Sequence, residues 1–236
     1  VLKKPLIVII LVLLIDQCIK LYVKTHMMLD ESFPMFGESS GALRERFFIY
    51  FTENEGMAFG WKFAGEYGKL FLSIFRILAV AGIGWYLRDL VRKKSHPGFI
   101  ISIALIFAGA LGNIIDSAFY GLIFSDSHYE VATMFPEGGG YAGFLHGKVV
   151  DMFYFPVLKG QFPGWFPIWS GEDFVFFRPI FNFADASITA GVLAILIFQK
   201  RFFAKRAHEH ENAAVAPSAD TSSTSVPVND TTEESK

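Results

Sequence analysis

Residues 99–120 read FIISIALIFAGALGNIIDSAFY, an almost continuous apolar run that turns polar only near its end, at Asn113 and Asp116. A helix needs about 20 such residues to cross a hydrocarbon core of roughly 30 Å. This stretch therefore predicts a membrane-spanning helix with its polar residues at one boundary. Three more segments meet the same requirement: 6–22, 70–87 and 180–203. The whole chain agrees, because 52% hydrophobic residues and a mean hydropathy of +0.38 are too apolar for an ordinary soluble domain of 236 residues.

Basic residues orient the spans. Lys3 and Lys4 precede the first, Arg88, Arg92, Lys93 and Lys94 fill the short link between the second and third, and Lys200, Arg201, Lys205 and Arg206 close the fourth. With four spans these three regions share one side, which the positive-inside rule makes the cytoplasm. Both termini are then cytoplasmic, and the long connections 23–69 and 121–179 lie outside. The first helix is expected to stay uncleaved, because Ile15-Asp16-Gln17-Cys18 offers no small-residue cleavage site. Residues 1–206 read as one four-helix membrane domain. Residues 207–236, rich in Ala, Ser, Thr, Pro and acidic residues, read as a disordered cytoplasmic tail.

The outer segments carry structure of their own. Arg46 to Phe51 is β-like, and it runs into a turn-forming stretch that includes Asn54, Gly56 and Gly60. Together these predict a small β-platform. The second segment, with Gly138-Gly139-Gly140 and several aromatic–Pro steps, reads as a long, partly irregular lid.

Composition also excludes chemistries. A net charge of −2 gives nucleic acid no electrostatic footprint, and the single Cys18 rules out a disulfide framework within the chain. There is no His-Glu-x-x-His sequence, and the histidines are isolated or lie in the tail, so neither a metal nor a cofactor is expected.

What remains is a set of polar residues at the outer ends of the spans: Asp16 and Lys20, Asn113 and Asp116, Asn182 and Asp185. Each pair has a plain explanation. Asp16 and Lys20, spaced i, i+4, can form a boundary ion pair. Asn113 and Asp116 share a face with Gly109 and Gly112, where small residues admit a neighbouring helix. Asn182 and Asp185 can be an N-cap and an acid matched to the helix dipole. Their convergence on one end, with Asp151 in an apolar outer stretch, instead describes a single polar pocket at the membrane boundary, where ionisable groups are functional candidates. A small ion-coupled transporter would use the same carboxylates as a relay, but it calls for polar residues at the midplane, and the cytoplasmic halves of spans one, three and four are apolar.

Five blocks occur in order: Asp16-Gln17-x-x-Lys20, Asn54-x-Gly56-x-Ala58-Phe59, Gly112-Asn113-x-x-Asp116, Val149-Val150-Asp151 and Phe181-Asn182-x-Ala184-Asp185. They resemble the lipoprotein signal peptidase (signal peptidase II) family of bacterial inner-membrane aspartyl peptidases. The resemblance runs from span one to span four. It implies cleavage of diacylglyceryl-modified prolipoproteins before the lipidated cysteine, at the periplasmic face, with membrane lipids as surroundings and globomycin-type antibiotics as inhibitors. It implies Asp151 and Asp185 as the catalytic pair, supported by Asp16, Lys20, Asn54, Gly56, Gly112, Asn113, Asp116, Asn182 and Ala184. Asn54 and Asn182 are candidates to hydrogen-bond the substrate or the dyad, and Asn113 with Asp116 to orient the scaffold. One chain holds all of these positions, so a functional monomer is expected.

The chain departs from the family pattern at Ser117, where an arginine is usual, with Arg178 and Lys148 as candidate substitutes. It also has longer stretches at 121–147 and 156–179.

Overall fold

A computed structural model describes residues 3–44, 46–54, 65–156, 158–161, 164–165, 171, 173–176 and 179–215. The chain divides into two compact units, Val1–Phe202 and Phe203–Lys236. Everything below concerns the first, apart from the end of its last helix.

Among the described residues, four helices are long and apolar enough to cross a membrane: α1 (Lys3–His26), α2 (Gly65–Arg92), α3 (Pro97–Ile115) and α5 (Phe183–Val215). Their outward faces carry Leu6, Ile7, Leu14, Phe71, Leu78, Trp85, Leu196 and Ile197, all exposed. Such a continuous apolar belt is stable only against lipid. This is a multi-pass membrane protein.

The third span does not end as one regular helix. After Ile115 a π-helical turn, Asp116–Tyr120, leads into a short α4 (Gly121–Ile123). Asp116, Ser117, Ala118 and Tyr120 are all buried there. Such π-bulges turn extra side chains inward and recur at functional sites. α5 begins only at Phe183, so the expected start of span four at residue 180 is too early. Ile180–Phe181 is a strand instead. α5 also continues to Val215, past the expected boundary at 206, and residues 216–236 lie outside the described residues.

Packing is centred on α3. Gly109 and Gly112 have no room for a side chain: a Cβ on Gly109 would lie 2.3 Å from the Ala184 carbonyl oxygen, and one on Gly112 would lie 2.8 Å from Asp16 Oδ2. The small-residue face of α3 thus admits both α1 and α5. At the opposite end Leu87, Leu90 and Val91 of α2 pack on Phe99, Ile100, Ile103 and Ala104 of α3. That end is tightened by His96, which caps α3 by accepting from the Gly98 N–H.

The helices carry a small antiparallel sheet, as the all-α reading with a β-platform expected, and it extends beyond the platform. A four-stranded antiparallel sheet has the order β1-β2-β3-β6, formed by Ser32–Pro34, Phe48–Asn54, Val149–Tyr154 and Ile180–Phe181. A separate hairpin pairs β4 (Leu158–Gln161) with β5 (Asp173–Phe176). β2 falls in the expected platform and β1 precedes it in the same outer segment, while residues 55–59 lie outside the described residues. β3 comes from the segment read as an irregular lid, and β6 from the expected start of span four. Asp151 therefore sits on an interior strand, opposite Thr52, beyond a register shift between Ile49 and Thr52. Bulges of this kind re-aim side chains near sites. Val150 and Met152, on the other face of β3, pack with Val23, Met27, Phe51, Tyr120 and Phe124. This core holds the strand over the ends of α1 and α3.

A second buried charge cluster clamps the sheet to α1. Lys24 pairs with Glu53 and donates to Ser127 Oγ at 2.8 Å, and Lys148 reaches Glu53 Oε2 at 3.1 Å. The Lys24 ammonium also lies over the Tyr141 ring, 5.0 Å from its centroid. Residues of the 121–147 stretch thus help anchor the strand before Asp151.

Candidate active site

The start of α5 organises the site. Asn182 Oδ1 accepts from the Asp185 N–H at 2.9 Å, and Asp185 Oδ2 accepts from the Asn182 N–H at 3.4 Å. This is a reciprocal capping box, so the plain reading of this pair is correct as far as it goes. It does not exhaust either side chain. Asn182 Nδ2 donates to Asp151 Oδ1 at 2.7 Å and to Asn113 Oδ1 at 3.0 Å. Asn113 Nδ2 in turn donates to Asp185 Oδ1 at 2.8 Å. Two amides from α3 and the α5 cap therefore connect the carboxyl groups of Asp151 and Asp185. Asn113 touches the pair directly, which is more than the scaffold role expected of it. Asn54 Nδ2 lies 3.5 Å from Asp151 Oδ2, at the outer limit of a hydrogen bond.

Below this pair lies an ionic support. Lys20 Nζ contacts Asp16 Oδ2 at 2.9 Å, Asp116 Oδ2 at 2.7 Å and Asn113 Oδ1 at 2.9 Å, with no solvent exposure. The i, i+4 pair on α1 is thus one side of a three-helix junction. Asp16 Oδ1 accepts the Ala184 N–H at 2.9 Å, one of the α5 donors left without a helical partner. Asp116 reaches the Val150 N–H at 3.4 Å, beside Asp151. Gln17 joins the junction by donating to Asp116 Oδ1 at 2.9 Å and accepting from the Tyr120 hydroxyl at 3.2 Å. Every buried ion here has a partner, as a low-dielectric site requires.

Burial, and then the charge of Asp185, push the Asp151 carboxyl up to about 7, against the opposing pull of Lys20, Asn182 and Asn54. A carboxyl half-protonated near neutral pH can serve as either acid or base. Asp151 is 5% exposed and Asp185 is half-buried. The arrangement can therefore hold one proton between two carboxyl groups, with access from the Asp185 side.

The remaining expected positions divide clearly. Asp16, Lys20, Gly112, Asn113, Asp116, Asn182 and Ala184 meet in this network, and Asn54 borders it. Gly56 and Arg178 lie outside the described residues. Lys148 is engaged with Glu53 and Tyr141 rather than with the carboxyl pair. Ser117 donates back to the Asn113 carbonyl at 3.1 Å and brings no charge. Sequence reasoning missed Gln17 and Tyr120 as network members, although Gln17 stands inside a quoted block. It also passed over Arg76, whose charge in an apolar span was the available signal. The guanidinium lies within electrostatic reach of Asp185 and Asp151.

Residues 8–201 match the family model described as signal peptidase (SPase) II. A lipoprotein signal peptidase from Porphyromonas gingivalis is 50% identical over 194 residues, covering 82% of this chain and 81% of the relative. One from Amoebophilus asiaticus is 35% identical, covering 81% and 75% respectively. The fold is similar to two bacterial membrane enzymes solved by the in meso method. One has a TM-score of 0.53 at 21% identity, covering 92% of this chain and 94% of the other. The second has a TM-score of 0.52 at 25% identity, covering 82% and 90%. With the model spanning nearly the whole membrane domain and all of the network above, the chain belongs to the signal peptidase II family.

Proposed function

We propose that this protein is an aspartyl endopeptidase that removes signal peptides from diacylglyceryl-modified prolipoproteins, cleaving before the lipidated cysteine, with Asp151 and Asp185 as its catalytic pair. The observation that carries this reading is the Asp151–Asn182–Asn113–Asp185 chain of hydrogen bonds at the outer end of the helix bundle. Family membership supplies the substrate class.

The chemistry follows from the pair sharing one proton. The ionised carboxylate takes a proton from water, whose oxygen bonds to the scissile carbonyl carbon. The protonated partner gives its proton to the carbonyl oxygen. Collapse of the tetrahedral species breaks the C–N bond: the carboxyl that gained the water proton delivers it to the leaving nitrogen, and a hydroxyl on the tetrahedral carbon returns its proton to the partner, so the pair again holds one proton. Asn182 and Asn113 keep the two groups oriented throughout. Asn54, at the rim of the sheet, is placed to meet the substrate backbone. Asp16, Lys20, Gly112, Asp116 and Ala184 hold the three helices in register, and Gly56 shares a sequence block with Asn54.

In this reading the basic ends of the spans face the cytoplasm, with both termini there, and the sheet and carboxyl pair face the periplasm at the outer boundary of the inner membrane. The substrate's lipid chains stay among membrane lipids while its scissile bond reaches the site. One chain suffices, and globomycin-type compounds occupy the substrate's place. The ion-coupled transporter reading has no support from the family match.

The test is cleavage of a lipid-modified prolipoprotein by the purified chain in lipid, with the product mass locating the cut. A cut on the N-terminal side of the lipidated cysteine, blocked by globomycin, supports the proposal. An intact substrate with folded protein contradicts it.

A further inference from the structure

Five ionisable groups of the junction and the carboxyl pair have been described: Asp16, Lys20, Asp116, Asp151 and Asp185. Four are acids and one is a base, and Lys20 already contacts Asp16 and Asp116. A site this acidic at a membrane boundary calls for a further cation near the other two carboxyl groups.

α2 provides it. Its inward stripe reads Ser73, Arg76, Val80, Ile83 and Leu87, at spacings of three and four, so these residues share one face. Ser73, Val80 and Leu87 on that stripe are buried. Ser73 Oγ donates to the Leu145 carbonyl at 3.1 Å and ties the outer end of α2 to the segment leading into β3. Arg76 lies one turn further along the same face, half-buried, with the charges of Asp185 and Asp151 both acting on it. An arginine within an apolar span is costly unless it meets opposite charge, and these carboxyl groups supply it.

We propose that Arg76 is a positioning residue for the dyad: from α2 its guanidinium favours the singly ionised Asp151–Asp185 pair and so sets the pH range in which the enzyme works. The proposal rests on the dyad reading above. Among the described residues, the charged groups around the pair are Lys20 with Asp16 from α1, Asp116 from the end of α3, Asp185 from α5 and Arg76 from α2. Glu53, next to Asn54 on β2, is occupied by Lys24 and Lys148. Asn54, Asn113 and Asn182 are neutral and do not change charge with pH. Loss of Arg76 therefore removes positive charge from the pair without creating a titrating replacement. Both apparent ionisations of the pair must then move to higher pH, because a nearby cation had favoured the charged forms.

The experiment is the pH profile of kcat/KM for prolipoprotein cleavage by the full chain in lipid, for wild type, Arg76→Lys and Arg76→Met. Arg76→Met should shift both limbs of the profile upward by about one pH unit, leaving it roughly 10-fold slower on the acid limb and roughly 10-fold faster on the alkaline limb. Arg76→Lys should lie between the two. A uniform loss of rate with unmoved limbs, or an unmoved profile, overturns the proposal. NMR titration of isotope-labelled aspartate carboxyls gives the same answer without substrate: an upward shift for Asp151 in Arg76→Met supports it, and unchanged titration refutes it. If wild type itself fails to cleave, the peptidase reading fails, and the carboxyl titration still decides the role of Arg76.

Discussion

Asn182 Nδ2 donates to Asp151 Oδ1 at 2.7 Å while the same residue's Oδ1 caps the N–H of Asp185 at 2.9 Å, so one side chain both starts α5 and orients the carboxyl group facing it. Helix initiation and site assembly are thereby a single event. A strand from one segment and a helix from another meet through one amide.

The two roles of Asn182 can be separated. Asn182→Ser keeps a capping oxygen, so stability should change by less than about 0.5 kcal/mol from the cap, whereas Asn182→Ala should lose about 1 kcal/mol. Both remove the donor to Asp151, and both should slow cleavage on the order of 10²-fold. Thermal unfolding in detergent alongside cleavage rates checks this. Equal activity loss with unequal stability loss is the expected signature.

Burial of Asp151 has a stability cost with a definite sign. Its carboxyl stands at about 7 in the folded protein against an unfolded value near 3.8. Between these values the folded state binds the extra proton, so stability falls as pH rises from about 4 to 7 and the full cost remains above 7. Asp151→Asn removes that titration. The variant should gain stability relative to wild type at pH 8 over its difference at pH 4, by up to about 4 kcal/mol. Melting temperatures of both proteins across that range test the sign.

The junction beneath the pair should be intolerant of partial dismantling. Lys20→Met leaves Asp16 and Asp116 buried without their cation, a change worth about 3–5 kcal/mol of destabilisation. Neutralising both acids in the same background, as Asp16→Asn and Asp116→Asn, should recover a large part of it. Folded yield and thermal stability of the single and triple variants report the coupling.

Gly109→Ala is expected to cost more than helix propensity returns. Alanine is favoured over glycine in a helix by about 1 kcal/mol, but the new Cβ would meet the Ala184 carbonyl at 2.3 Å. Backbone cannot yield there without moving α5, so a net loss of about 2 kcal/mol is predicted, with reduced activity. Gly82→Ala, whose Cβ meets nothing within 4 Å, is the matched control and should be neutral or stabilising.

The parts legible in the sequence were those governed by local rules. Span length, the Asp16–Lys20 spacing, the Gly109–Gly112 face and the Asn182–Asp185 cap all depend on residues within a turn or two of each other. What escaped depends on pairing across the chain. Asp151 was seen as an acid in an apolar stretch, yet its place on an interior strand requires β2 on one side and β6 on the other, from segments far apart in sequence. Ile180 and Phe181 looked like the start of a helix because apolar residues fit either state, and strand pairing to β3 decided it. Lys24 lay past the expected end of span one, and only its burial against Glu53, Ser127 and Tyr141 reveals its work. Arg76 was visible as a charge in a span, but its direction depends on how α2 packs.

The central claim is that Asp151 and Asp185 act as one catalytic unit, and it is tested most directly by single-turnover cleavage of a lipid-modified prolipoprotein by Asp151→Asn, Asp185→Asn and the double variant, each verified as folded. Each single variant is predicted to lose at least about 10⁴-fold in rate, and the double variant to lose no more, because either change removes the shared proton chemistry. A single variant that retains more than roughly a tenth of wild-type rate, or losses that multiply in the double variant, would contradict the account.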